Sequence, residues 1–259
     1  MPEGDTIRHA VNRMRPVLEG RTPDEVLAPH PRHAMDRWPE RLGGRAVRAV
    51  DAHGKHLFLR FEGDLTLHSH LRMSGAWAVY PAGRRWRRSP RRAWLVLRTG
   101  SHEVVQFDGP VLELMTESRT RFDQRLAALG PDILAEPEWD AAGFLQRLRE
   151  DDPTRGIGDA LLDQRTLAGI GNLWKVESCW HAQIDPWRPL AQVSDAEALA
   201  ITAAARPRMQ QSASDGDHDR HRRIYGKRGQ PCPRCGTSIR ARGQGDDNRI
   251  TYWCPGCQR

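Results

Sequence analysis

The sequence predicts a two-domain α+β protein with a β-rich front half, a helical back half and a short cysteine-bearing tail. Three observations predict it. Between residues 45 and 115, seven short β-rich runs are separated by turn residues: "RAVRAVDA", "KHLFLRF", "DLTLHSH", "AWAVY", "AWLVLR", "EVVQF" and "VLELM". After Pro131 the apolar spacing becomes helical, over 138–150, 157–163, 172–180 and 194–211. The tail carries two C-x-x-C pairs, Cys232/Cys235 and Cys254/Cys257, separated by eighteen residues.

Each element has its own signal. Ile7, Ala10, Val11, Met14 and Leu18 recur at helical spacing behind the candidate caps Asp5 and Thr6, and Pro16 bends or ends that helix. Several of the β-rich runs alternate apolar and polar residues, and so many strands at this spacing imply a sandwich or a barrel. "SASDGDHDR" at 212–220 reads as a mobile polar linker, and the two halves join near 118–131. No internal repeat is present. No stretch approaches 18 uninterrupted apolar residues and no signal segment opens the chain, so the expectation is a soluble cytoplasmic protein.

Charge narrows the function class. The net charge is +7, yet residues 220–259 hold ten Arg or Lys against Asp246 and Asp247 alone. The preceding 219 residues carry thirty basic and thirty-one acidic side chains, so the excess lies in the tail. A second concentration, "GRRWRRSPRR", has six arginines between Arg84 and Arg92 and no acid. Such patches suit a polyanion better than a small substrate, the alternative being a solubilising surface. Lysine is scarce, with only Lys55, Lys175 and Lys227 against 37 arginines. A retained lysine offers a compact charge that can release its proton, which a guanidinium does not.

The chemistry-bearing stretches follow from spacing and residue type. Four cysteines in two knuckles match a four-thiolate zinc site, which leaves no open coordination position and is therefore structural. Two disulfides are the alternative, disfavoured inside a cell. Cys179, alone in "ESCWH", reads as a buried apolar residue. Between the knuckles, "GTSIRARGQGDDNRITYW" reads as a two-stranded ribbon, with Arg249 just past its turn. In "LLDQRTLAGIGNLWKVE" a helix ends at Gly169–Gly171 and another starts at Asn172, a good N-cap. The backbone N–H groups there form an anion cradle, and Lys175 nearby makes a DNA phosphate a natural ligand; plain helix packing is the alternative. Lys55 follows a glycine and precedes a strand in "HGKHLFLRF". In "HSHLRMSGAW", Arg72 and Met73 sit on a loop, where an exposed methionine can act as a wedge between bases, although most methionines are core. At the start, Met1 is normally removed when proline follows, which leaves Pro2 as a secondary amine beside Glu3; a frayed end is the alternative.

Taken in order, "PEGDT", "HGKHLFLRF", "SHLRMSG", "LLDQRTLAGIGNLWKVE" and "IYGKRGQPCPRCG" through "RITYWCPGCQ" resemble the signatures of the formamidopyrimidine-DNA glycosylase/endonuclease VIII family over nearly the whole chain. The resemblance implies an N-terminal β-sandwich with a flanking helix over 1–118, a linker over 119–131, a helix–two-turns–helix domain over 132–222 and a zinc finger over 223–259. It further implies a DNA glycosylase and AP lyase that flips a damaged base from the stack. Pro2 is then the nucleophile and Glu3 the general acid/base, with Lys55 and Arg249 on phosphates and in proton transfer. Asn172, Arg72, Met73 and Lys175 are the DNA-contacting residues, and Cys232, Cys235, Cys254 and Cys257 hold one structural Zn2+. The partners implied are damaged DNA and no membrane, for a bacterial-type monomer without an organic cofactor.

The absence of an Arg-Phe pair in "FDGPVLELMTES" and the ending "YWCPGCQ" point to the endonuclease VIII branch and to oxidised pyrimidines. "SHLRMSG" is closer to the other branch. Thr6 stands where many members have Glu, and Ala128 where some have an interdomain arginine. A lyase for abasic or single-stranded sites, an oxidised-purine enzyme and a non-catalytic zinc-ribbon DNA-binding protein are the rival readings.

Overall fold

A computed structural model describes residues 2–259. The chain divides into two units, one made of Pro2 with Thr6–Ala127 and the other of Glu3–Asp5 with Ala128–Arg259. Helix α1 (Gly4–Leu18) presents Ile7, Val11, Met14 and Leu18 as one buried stripe. Pro16 lies in its last turn, where it removes one i→i−4 hydrogen bond close to the helix end, and the helix stops two residues later.

In the first unit, β1 (Glu25–Leu27) and α2 (Trp38–Leu42) precede β2 (Val47–His53), β3 (His56–Phe61), β4 (Leu65–His70), β5 (Ala76–Pro81), β6 (Ala93–Thr99), β7 (His102–Phe107) and β8 (Val111–Thr116). The strands form two four-stranded antiparallel sheets, β2-β3-β4-β8 and β1-β6-β7-β5. Of the two β architectures, the sandwich is the one adopted. Val50, Leu57, Leu59 and Leu67 from one sheet share a core with Val26, Leu95, Leu97 and Val104 from the other and with the α1 stripe. Truncating one of these leucines to alanine costs about 2–5 kcal/mol. All seven expected strands are present. The three-residue β1 and the five-residue α2 were not anticipated, being too short to establish a period.

Short helices α3 (Glu117–Phe122) and α4 (Gln124–Ala127) occupy much of the stretch read as a linker. The second unit then builds α5 (Ala141–Glu150), α6 (Ile157–Ala160), α7 (Asn172–Ala182) and α8 (Asp195–Asp215), followed by the ribbon β9 (Arg240–Gln244) and β10 (Arg249–Trp253). Asp140 caps α5, and a Ser194/Glu197 capping box opens α8.

The expected mobile linker at 212–220 is a correction. Helix α8 runs through Asp215 and stops where Gly216 takes a positive φ of 78°. Ser212 and Ala213 are buried, and the Ser212 hydroxyl donates to Asp5 Oδ2 at 2.6 Å. Polar composition suggested a loop, but the small side chains of Ser212 and Ala213 allow close packing there. No described helix is long and apolar enough to cross a membrane.

Candidate active site and metal centre

The candidate residues fall into two sets, one in each unit. In the second unit the organising group is Glu3, whose side chain is buried. Its Oε2 accepts from the backbone N–H of Gly171 at 2.9 Å and of Trp174 at 3.3 Å, and its Oε1 from that of Leu173 at 2.8 Å. The first-turn N–H groups of a helix lack partners within the helix, and an anion is the natural one. The glycine turn is therefore an anion cradle, but its anion is this chain's own carboxylate, which corrects the expectation of a phosphate in that position. Gly4 N–H also donates to the Gly169 carbonyl at 2.9 Å. Gly171 has to be glycine, since a Cβ there would lie 2.3 Å from Glu3 Cδ.

Asn172 does not cap α7, because Gly171 holds the cap position and Asn172 is the first helical residue. Its Nδ2 instead donates to the Ile250 carbonyl of β10 at 2.8 Å. Lys175 differs further from expectation. It is fully buried, and its Nζ donates to Thr251 Oγ1 and, at 3.3 Å, to Gln244 Oε1. Burial pulls its pKa down to about 8, partly offset by Cys179, Asp159 and Glu3. An ammonium enclosed in this way braces the ribbon and has no open face to offer a phosphate. The warning sign was its setting in "NLWKVESCW", a helix apolar on nearly every side.

Arg249 opens β10, half-exposed, with Asp247 the nearest acid at 3.6 Å. The ribbon that carries it is thus tied to α7 twice, through Asn172 and through Lys175. Sequence reasoning missed a third tie. Glu177 is buried, with burial raising its pKa, and it accepts from the backbone N–H of Arg223, Ile224 and Tyr225 at 2.8–3.0 Å. It thereby anchors the segment leading into the ribbon to the same helix.

The sulfurs of Cys232, Cys235, Cys254 and Cys257 all lie within 4.8 Å of one another. Four thiolates around zinc at about 2.3 Å stand about 3.8 Å apart, so the cluster fits that ion without rearrangement of the chain. The Trp180 indole N–H donates to Cys232 Sγ at 3.3 Å, and the Arg234 guanidinium lies 4.2 Å from the Trp180 ring centroid. These contacts join the knuckles to α7. Cys179 is fully buried and its thiol is pushed up to about 12 by burial, which makes it an inert core residue.

In the first unit, Pro2 borders a cavity of about 200 Å³ together with Thr6, His9, Arg13, Leu71 and Gly75. Leu71 and Gly75 flank a tight loop closed by a Gly75 N–H bond to the Leu71 carbonyl at 2.9 Å. At the tip Arg72 holds a φ of +48° and Met73 is 66% exposed. A large apolar side chain held out in this way is not core packing. Lys55 sits in the two-residue turn between β2 and β3, where Gly54 supplies the positive φ of 56°. Burial, then the charges of Arg72 and Lys55, lower the pKa of His70 to about 4. Lys55, His70 and Arg72 therefore form a cationic cluster in which the imidazole stays neutral at neutral pH. Asp108 occupies the β7–β8 turn and accepts from Arg88 and Arg92, so no Arg-Phe pair projects there.

Comparison with known proteins accounts for this arrangement. Residues 1–122 match the formamidopyrimidine-DNA glycosylase N-terminal domain and residues 129–221 the formamidopyrimidine-DNA glycosylase H2TH domain. The chain is 41% identical to "Probable endonuclease 8 2" of Streptomyces coelicolor, covering all of this chain and 94% of that protein. It is 36% identical to "DNA-(apurinic or apyrimidinic site) lyase Nei2" of Mycolicibacterium smegmatis, covering 100% of this chain and 99% of that one. The fold is that of Lactococcus lactis Fpg, solved with DNA containing an abasic site, at a TM-score of 0.83 with 22% identity and full coverage of both chains. With two family domains in sequence, full-length likeness to endonuclease 8 proteins and a four-cysteine ribbon, the chain belongs to the formamidopyrimidine-DNA glycosylase/endonuclease VIII family, in its endonuclease VIII branch.

Proposed function

We propose that this chain is a base-excision DNA glycosylase and AP lyase that removes oxidised pyrimidines and nicks the strand through an iminium formed on Pro2. One observation carries the reading. Directly behind the proline amine position, Glu3 is a buried carboxylate fixed by three backbone N–H groups. Full-length likeness to relatives named endonuclease 8 and AP lyase supports it.

The chemistry follows from those residue types. With Met1 removed (a residue outside those described), the Pro2 lone pair attacks C1′ of the damaged nucleotide. The glycosidic C–N bond breaks, its electron pair leaves with the base, and the base takes up a proton. The amine loses its proton, the C1′–O4′ bond opens with protonation of O4′, and an iminium links Pro2 to C1′. The positive nitrogen acidifies C2′–H. Loss of that proton expels the 3′ phosphate, and a second elimination expels the 5′ phosphate. Glu3 transfers protons at O4′ and C2′. Lys55 holds a phosphate flanking the lesion and Arg249 grips another, while Asn172 keeps the backbone in register with the Nδ2 hydrogen not given to Ile250. Met73 fills the gap left by the flipped base.

The four cysteines hold a zinc ion that fixes the ribbon and takes no part in the chemistry. The enzyme acts as a monomer on damaged DNA in the bacterial cytoplasm, and no organic cofactor is needed.

The test is a set of duplexes carrying thymine glycol, dihydrouracil, 8-oxoguanine or an abasic site, with base release and strand scission followed separately. The pyrimidine lesions are cut faster than 8-oxoguanine, and the abasic strand ends in β,δ-elimination products. Faster cutting of 8-oxoguanine contradicts the pyrimidine assignment. Tight DNA binding without scission of the abasic duplex contradicts the catalytic one.

A further inference from the structure

The arginine run 84–92 is not used by this mechanism, although it is among the most concentrated charges on the molecule. Its loop, between β5 and β6, is firmly anchored. The Trp86 indole N–H donates to Glu103 Oε2 at 2.7 Å, and its ring meets Phe107 edge-on at 5.7 Å over the outer apolar patch of the second sheet. Arg88 and Arg92 both bond to Asp108. Arg84, Arg85 and Arg87 are exposed and form no ion pair among the described residues. A merely solubilising run would not be fixed by a tryptophan and two ion pairs while its other guanidiniums stay uncompensated.

The free arginines line a groove of about 380 Å³ that also contains Arg13 and the half-buried Tyr80. Arg13, Ala78 and Val79 border both this groove and the cavity that holds Pro2. A polyanion with one residue at Pro2 can therefore continue along the same wall into the groove. Tyr80 stacks towards Trp86 with ring centroids 6.4 Å apart, and its hydroxyl accepts from the Arg87 backbone N–H at 3.3 Å. It nevertheless lines the groove beside the arginines, and this combination of guanidiniums with an aromatic ring selects the kind of polyanion. Arginines follow a phosphodiester backbone, whereas a ring can stack only on a base that is not already paired. A duplex would satisfy the charges and leave Tyr80 unused. An acidic peptide would do the same.

We propose that this groove binds single-stranded DNA continuing from the strand engaged at Pro2, with Arg84, Arg85 and Arg87 on phosphates and Tyr80 stacked on a base. The proposal rests on the glycosylase reading for the strand at Pro2 and adds a preference for lesions next to unpaired DNA.

The experiment measures fluorescence anisotropy of the full-length, zinc-loaded protein. The probes are a blunt duplex with a tetrahydrofuran abasic analogue and the same duplex with a single-stranded arm of roughly ten nucleotides at either end. The arm tightens wild-type binding about tenfold and steepens its salt dependence by about 2 in log–log slope, as three single-strand phosphates require. The change R84Q/R85Q/R87Q abolishes both effects and leaves the blunt duplex within twofold. Tyr80→Leu loses the affinity gain but keeps the salt slope, and Tyr80→Phe keeps both. An arm that gives no gain, or a gain that survives the triple change, overturns the proposal. So does a labelled polyglutamate peptide that binds through these arginines while the arm does not. Scission of an abasic duplex, run in parallel, reports on the glycosylase reading separately, because the arginines lie outside the reacting residues.

Discussion

At the scale of single residues, the decisive contact is between Glu3 and the first turn of α7. A methyl group at position 171 would overlap the Glu3 carboxylate. Gly171→Ala is therefore expected to displace the proposed acid/base group and lower base release by about 100-fold or more, the usual worth of a positioned acid/base. Glu3→Gln places an amide –NH2 against a backbone N–H donor and is expected to give a similar loss in activity, with stability reduced by about 1–3 kcal/mol. Single-turnover excision and a denaturant melt separate the two effects, and normal excision by either variant contradicts the assignment. The candidates were legible in the sequence because Pro-Glu-Gly, the lone Lys55 and the glycine turn are unusual in themselves. What Glu3 binds was not legible, since its partners lie about 170 residues away and chain separation carries no local signal. The same holds for Lys175, whose charge suggested the surface while its apolar neighbours dictated burial.

At the scale of elements, α7 is the support for everything else in the second unit. It receives Glu3 at its start, and Asn172, Lys175, Glu177 and Trp180 tie it to the ribbon and its approach. The ribbon has few apolar residues of its own, and its small core depends on Val176 and Trp180. Metal is therefore expected to decide whether it folds, because four close thiolates without an ion have little to hold them together. Chelation, or Cys232→Ser, is expected to lower bound zinc below one per chain and to weaken DNA binding at least tenfold, as read by metal analysis and anisotropy. Unchanged affinity with the metal gone contradicts the ribbon's role. Elements with clear periodicity or fixed spacing, the seven strands and the cysteine knuckles, were legible. β1 and α2 were not, and the polar end of α8 was misread because small residues serve tight packing as well as loops.

At the scale of the whole molecule, the histidines set the acid limit of stability. Burial lowers His56 to about 2, and burial with neighbouring cations lowers His70 and His181 to about 4. All three lie below the ordinary value near 6.5, so the unfolded chain binds protons more readily than the folded one between those limits. Stability is fully present above about 6.5 and is lost as pH falls towards 4, because protonation favours the unfolded state. Thermal melts across pH 4–8 are expected to show Tm dropping through that window. His56→Gln, which removes the lowest of the three, is expected to flatten the drop, and a Tm independent of pH contradicts these burials. The sandwich, the helical half and the tail were legible at this scale because composition changes at each boundary.

The central claim is that the N-terminal proline forms the covalent bond to DNA. Borohydride reduction during reaction with an abasic duplex, followed by peptide mapping, tests it most directly. One protein–DNA adduct per chain is expected, carried by the peptide that begins at Pro2, and none in Pro2→Ala or in protein that retains Met1. An adduct on Lys55 or another lysine, or no adduct despite strand cleavage, would contradict it.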